Sequence, residues 1–70
     1  MKGKVIWIDP QNSELIKVKI DGSYVALIEL LGHGVEIGDE ITGDLESLGR
    51  ETLYNVTQQE ELEVSIENLF

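Results

Sequence analysis

Trp7 is the only tryptophan in the chain and stands three residues after Lys4. An indole beside ammonium groups can hold single-stranded nucleic acid: the ring stacks a base for about 1–3 kcal/mol while the cations hold phosphates. Lys17 and Lys19 follow ten and twelve residues later, and Tyr24 adds a second aromatic ring. Lys4, Trp7, Lys17, Lys19 and Tyr24 form the candidate binding set. The competing reading makes Trp7 a core or barrel-rim residue and the lysines a guard on the outer face of a sheet.

Other chemistry has less to work with. His33 lies between Gly32 and Gly34, with no second histidine and no cysteine in the chain. A structural zinc site needs four ligands, so a solvated loop histidine is expected and no metal site is assigned. Asp39, Glu40, Asp44 and Glu46 lie close in sequence but lack the Asp-x-Asp-x-Asp-Gly pattern of a calcium loop, so a solvated acidic surface is expected. Ser13, Ser23, Ser47 and Ser65 have no Gly-x-Ser-x-Gly elbow around them. No glycine loop of the Walker or Rossmann type is present, so no cofactor is implied. Asn55-Val56-Thr57 spells a glycosylation sequon, but no secretory signal accompanies it. These readings point away from an enzyme and toward a binding module.

Charge refines the choice of partner. The formal net charge is −9, which disfavours a polyanion, because lysine and arginine contacts to phosphate supply most non-specific affinity. The charge is uneven, however. Residues 1–19 set four lysines against Asp9 and Glu14, a balance of +2, while residues 20–70 set Arg50 against twelve acids, a balance of −11. Two partner classes follow: a single-stranded nucleic acid on the basic segment, or a protein, either a basic one on the acidic remainder or another chain paired along a strand edge. No apolar run approaches the ~20 residues of a membrane span, and no apolar core follows Met1-Lys2-Gly3-Lys4. A soluble, cytoplasmic chain is expected.

The elements that must position these residues read as strands throughout. At 70 residues the chain fits one domain, which buries only about 60% of its unfolded surface. Residues 2–8 are rich in β-branched and aromatic types and stop at Asp9-Pro10, where Pro10 and the polar residues 11–13 make a turn. Residues 14–20 alternate, with Ile16, Val18 and Ile20 opposite Lys17 and Lys19. Asp21-Gly22 then signals a two-residue type I′ hairpin into residues 23–29, because that turn needs positive φ at both central positions. This turn predicts that Lys19 faces Tyr24, Val18 faces Val25 and Ile16 faces Leu27. Val25 and Leu27 would then enter the core, leaving Leu15 and Ile28 on the outer face with the lysines.

A short helical turn is expected over Glu29–Leu31 within the glycine-rich connection that follows. A fourth strand is predicted over 39–45, with Gly43 as a bulge or close-packing point, then a loop over 46–50 turning at Gly49, and a fifth strand over 52–57. In the C-terminal segment Leu62, Val64 and Ile66 alternate as in a strand, while Thr57-Gln58-Gln59-Glu60 spells a helix capping box. The β-branched Val64 and Ile66 favour the strand.

Lys2-Gly3-Lys4-Val5, Trp7 and Asp9-Pro10 resemble the opening of the cold-shock domain family, which reads Lys-Gly-x-Val-Lys-Trp-Phe-Asn. Gly38 and Asn55-Val56-Thr57 are weaker echoes. The resemblance implies a small β-barrel of the OB type that binds single strands, and it carries only Trp7 across residue by residue. The family's first-strand lysine and phenylalanine are Ile6 and Ile8 here, and its second- and third-strand aromatic runs are missing, with Tyr24 the one aromatic in those segments. The sequence thus predicts an all-β, five- or six-stranded antiparallel barrel over residues 1–70, resembling the OB and cold-shock type.

Overall fold

The computed structural model describes residues 1–70. Six strands, β1 (Lys2–Asp9), β2 (Asn12–Ile20), β3 (Val25–Leu30), β4 (Glu40–Thr42), β5 (Gly49–Asn55) and β6 (Glu60–Leu69), account for all its regular structure. They close into an antiparallel barrel in the order β1-β2-β3-β6-β5-β4. The architecture is two three-stranded meanders joined along the β3–β6 and β1–β4 seams, and it is consistent with an OB-like fold. No helix is long and apolar enough to cross a membrane.

Alternation builds the interior. Val5, Ile16, Val18, Ile20, Ile28, Ile41, Leu53, Leu62, Val64 and Ile66 project from all six strands into one core. Burying each such side chain contributes about 1.5–3 kcal/mol relative to leaving it exposed. Leu45 enters from the β4–β5 loop and is as buried as any strand residue, while Val35 packs against the core from the β3–β4 connection. No pocket opens in the filled barrel or on its surface. Gly3 admits β1 close to β2, since a Cβ there would lie 2.7 Å from Val18 Cγ1 and 2.8 Å from the Lys19 carbonyl oxygen. Gly43 is the close-packing point anticipated from sequence, with Leu53 Cδ2 2.8 Å from where its Cβ would be.

The β2–β3 hairpin corrects the sequence reading by one residue. Lys19 faces Val25, Val18 faces Ala26, Lys17 faces Leu27 and Ile16 faces Ile28. The Asp21 backbone stays out of the positive-φ region and only Gly22 enters it, at 68°. A type I′ turn is therefore not formed. Instead the Ser23 amide donates to the Ile20 carbonyl and the Ile20 amide donates to that of Tyr24, so the loop spans three residues, 21–23. Because side chains alternate with period two, this single step exchanges the faces of β3. Ala26, Ile28 and Leu30 are buried, whereas Val25 and Leu27 are only half-buried. The expectations that Val25 and Leu27 enter the core and that Ile28 lies outside are both overturned.

Two further expectations change, the helical turn and the bounds of the fourth and fifth strands, while the C-terminal strand forms as expected. Glu29 and Leu30 are strand residues, so no helical turn forms at Glu29–Leu31. The fourth strand is only Glu40–Thr42, and the fifth begins at Gly49 and ends at Asn55. The C-terminal segment is strand β6, ten residues long, which bridges β3 and β5 and completes the barrel. The Thr57 hydroxyl, read as a possible helix cap, instead accepts a hydrogen bond from the Glu40 amide at 2.9 Å.

Candidate nucleic-acid interface

Four of the five candidate residues meet on the outer face of β1 and β2, in two cross-strand pairs. Lys4 lies opposite Lys19, and Trp7 lies opposite Lys17. Tyr24 falls outside this ladder. The hairpin slip gives Val25 the position opposite Lys19 and leaves the Tyr24 side chain 53% exposed at the end of the hairpin.

A bulge puts Trp7 on this face. Val5 points inward opposite Val18, and strict alternation from Val5 would send Trp7 inward as well. The register shifts between Val5 and Trp7, and Ile6 is the inserted residue, 48% exposed. Trp7 therefore pairs with Lys17, whose neighbours Ile16 and Val18 are both buried, and shares its outward direction. Ile8 then resumes the inward row opposite Ile16. Bulges commonly re-aim a side chain in this way.

The lysines differ in what they touch. Lys17 Nζ stands 4.7 Å from the centroid of the Trp7 ring, a cation–π contact worth about 0.5–1 kcal/mol at an exposed site. Lys19 Nζ donates to the carbonyl oxygens of Ile20, at 3.1 Å, and Ser23, at 2.9 Å. It thereby caps its own hairpin. Lys2 Nζ is 3.6 Å from Glu40 Oε2 across the β1–β4 seam. Lys4 stands between Lys19 and Glu40 in register. Beyond Lys17 the row continues to Leu27 and then Asn68, so the face turns apolar and then neutral.

The expected acidic surface around β4 is dispersed, and Asp39 leaves it altogether. Asp39 is 4% exposed. Its Oδ2 accepts hydrogen bonds from the Glu36 amide at 2.9 Å, Asn55 Nδ2 at 2.9 Å and Gln58 Nε2 at 2.7 Å. Burial pushes the Asp39 carboxyl upward, but the bonds from Asn55, the Glu36 amide and Gln58 together hold it below its ordinary value. Charge-assisted donation to the ionised form is the cause. Asn55 is itself fully buried and accepts from the Gln58 amide at 3.1 Å. This lock joins the residue before β4 to the last residue of β5 and the β5–β6 turn. It lies where the ladder is shortest, since only two register pairs join β4 to β5.

The sequence offered no signal for the lock, because an aspartate after Gly38 reads as a loop residue. It also settles the geometry of the sequon, whose Asn55 amide nitrogen faces Asp39 rather than solvent. Of the remaining acids, Glu40 forms an ion pair with Lys2, and Glu46 accepts a hydrogen bond from the Ser23 hydroxyl. His33 is exposed in the β3–β4 connection with Nδ1 3.7 Å from Glu60 Oε2. No three His, Asp or Glu side chains stand close enough together to hold a metal ion.

On the opposite wall, Tyr54 faces Glu61, Thr52 faces Glu63 and Arg50 faces Ser65. The Thr52 hydroxyl lies within hydrogen-bond reach of both Glu63 oxygens. The barrel thus carries its lysines on β1–β2 and a concentration of glutamates on β6. No family model matches the chain, and neither the curated proteins nor the solved structures yield a match.

Proposed function

We propose that this domain is a non-enzymatic, cytoplasmic binding module that holds single-stranded nucleic acid weakly on the outer face of β1 and β2. The observation that carries this reading is the two cross-strand register pairs, Lys4 with Lys19 and Trp7 with Lys17, which set an indole and three ammonium groups on two adjacent strands. The limited resemblance of the first strand to cold-shock domains points the same way, through Trp7 alone. A base stacked on Trp7 contributes about 1–3 kcal/mol, more than the about 0.5–1 kcal/mol of the Lys17–ring contact it would displace. Stacking therefore wins this exchange.

The same numbers keep the affinity low. One ring supplies one base step. Lys19 is committed to its hairpin, and the net charge of −9 opposes a polyanion beyond the local face. Screening over about 8 Å at physiological ionic strength confines that opposition to nearby acids. The expected dissociation constant lies at the weak end of non-specific binding, about 10⁻⁴ M at physiological salt.

Titration of the full chain with oligothymidylate at low salt, read by Trp7 emission, tests the proposal. Quenching that weakens as salt rises supports it, and unchanged emission refutes it. A second reading rests on the glutamates of β6, whose Glu61, Glu63 and Glu67 side chains are exposed: a basic protein docked on that wall. It predicts binding to a lysine-rich peptide that is lost when Glu61 and Glu63 are reversed to lysine and retained in Trp7→Ala.

A further inference from the structure

The Trp7 ring is not open in the free protein. Lys17 Nζ lies over it at 4.7 Å, and both side chains are half-buried. Lys17 makes no ion pair and no hydrogen bond, unlike Lys2 with Glu40 and Lys19 with its turn carbonyls. The ring is thus the only partner of this ammonium. The bulge at Ile6 turns Trp7 away from the core and into the same row as Lys17. A ring needed only for packing would gain more area pointing inward with Val5, as alternation without the bulge would place it.

We propose that Lys17 is a displaceable lid on Trp7 and a positioning residue for the ligand. Resting on the ring, it shields the indole from water. When a base stacks, the ammonium swings off the ring and pairs with the adjoining phosphate. The proposal rests on the binding reading above and names the residue that couples its two halves, stacking and charge. It also gives the ligand chemistry: a planar π surface with an anion one side-chain length away, as a nucleotide within a single strand presents.

The two roles of Lys17 pull in opposite directions, and salt separates them. Removing the lid frees the ring and favours stacking by about two- to fivefold. Removing the cation loses one phosphate contact and flattens the salt dependence by about 0.7 in the log–log slope for a single strand. Over a tenfold rise in salt that slope difference amounts to about fivefold.

The experiment compares the wild-type chain, Lys17→Thr and Lys17→Arg. Threonine suits a strand and cannot reach over the ring, and circular dichroism checks that the barrel is intact. Trp7 emission is read during oligothymidylate titrations at about 50 mM and about 500 mM salt, using strands of about ten nucleotides, within the site sizes typical of such faces. Acrylamide quenching of the free proteins measures shielding of the ring. The expected result is greater quenching in Lys17→Thr, weaker oligonucleotide binding than wild type at low salt, and equal or tighter binding at high salt, with Lys17→Arg keeping the wild-type slope. If wild-type emission does not respond to the oligonucleotide at low salt, the binding reading falls and the lid with it. If wild type responds and Lys17→Thr matches it in quenching, affinity and slope, the lid alone is overturned.

Discussion

Replacing Asp39 with asparagine tests the lock that holds the β4 seam. Three donors converge on Asp39 Oδ2. A hydrogen bond to a charged group nets about 1.5–3 kcal/mol and a neutral one about 0.5–1.5 kcal/mol, so removing the charge costs about 1 kcal/mol per bond. Asparagine can keep an acceptor at the same place, and Gln58 donates from an exposed turn where water competes. The loss is therefore about 2–3 kcal/mol. With a urea m-value of about 1 kcal/mol/M, the midpoint falls by about 2–3 M. A domain this small has few kcal/mol in reserve, so Gln58→Ala, which removes one donor for about 1 kcal/mol, is the milder companion.

The effect carries a pH signature. The folded carboxyl titrates below its unfolded value, so its contribution is full above the unfolded value and is lost as pH falls through the folded one. Wild type minus Asp39→Asn stability, from urea unfolding followed by circular dichroism, shrinks as pH drops from neutrality toward about 2. Other carboxylates cancel in this difference. A difference that stays constant across that range, or an Asp39→Asn midpoint within about 0.3 M of wild type, would refute the lock.

Other substitutions probe the register, the close approach of strands and the surface. Ile28→Ala should cost about 2–5 kcal/mol as a fully buried deletion, and Leu27→Ala distinctly less, in urea titrations; the reverse order would restore the two-residue hairpin. Gly3→Ala forces a Cβ against the Lys19 carbonyl and Val18 and should cost about 1–3 kcal/mol, read as a lower thermal midpoint. Lys2→Ala removes an exposed ion pair and should change stability by less than about 1 kcal/mol, measured in the same way.

Much of the barrel is legible in local pattern. Ile16, Val18 and Ile20 in β2, and Leu62, Val64 and Ile66 in β6, alternate with polar residues, so their inward face follows from period two alone. In β3 both parities of Val25-Ala26-Leu27-Ile28 are apolar, and the local pattern cannot choose a face. The three-residue turn chose it, and pairing to β6 agrees, with Ile28 opposite Ile66. A dipeptide that suits a two-residue turn also suits a longer one once only its glycine needs positive φ.

The candidate face divides along the same line. Sequence alone placed Lys17 and Lys19 together outside the barrel, because each sits between core residues of a single strand. Trp7 reached that face through a bulge, which depends on how two strands match over their whole length and leaves no local mark. Tyr24 lost its place opposite Lys19 through the hairpin slip. Asp39 became a buried anchor because Asn55 and Gln58, sixteen and nineteen residues further on, fold back upon it. Local alternation sets which residues of a strand share a side. Turn length, bulges and partners distant in sequence decide which side that is and whether a charge there meets water, because those energies exist only once the barrel is closed.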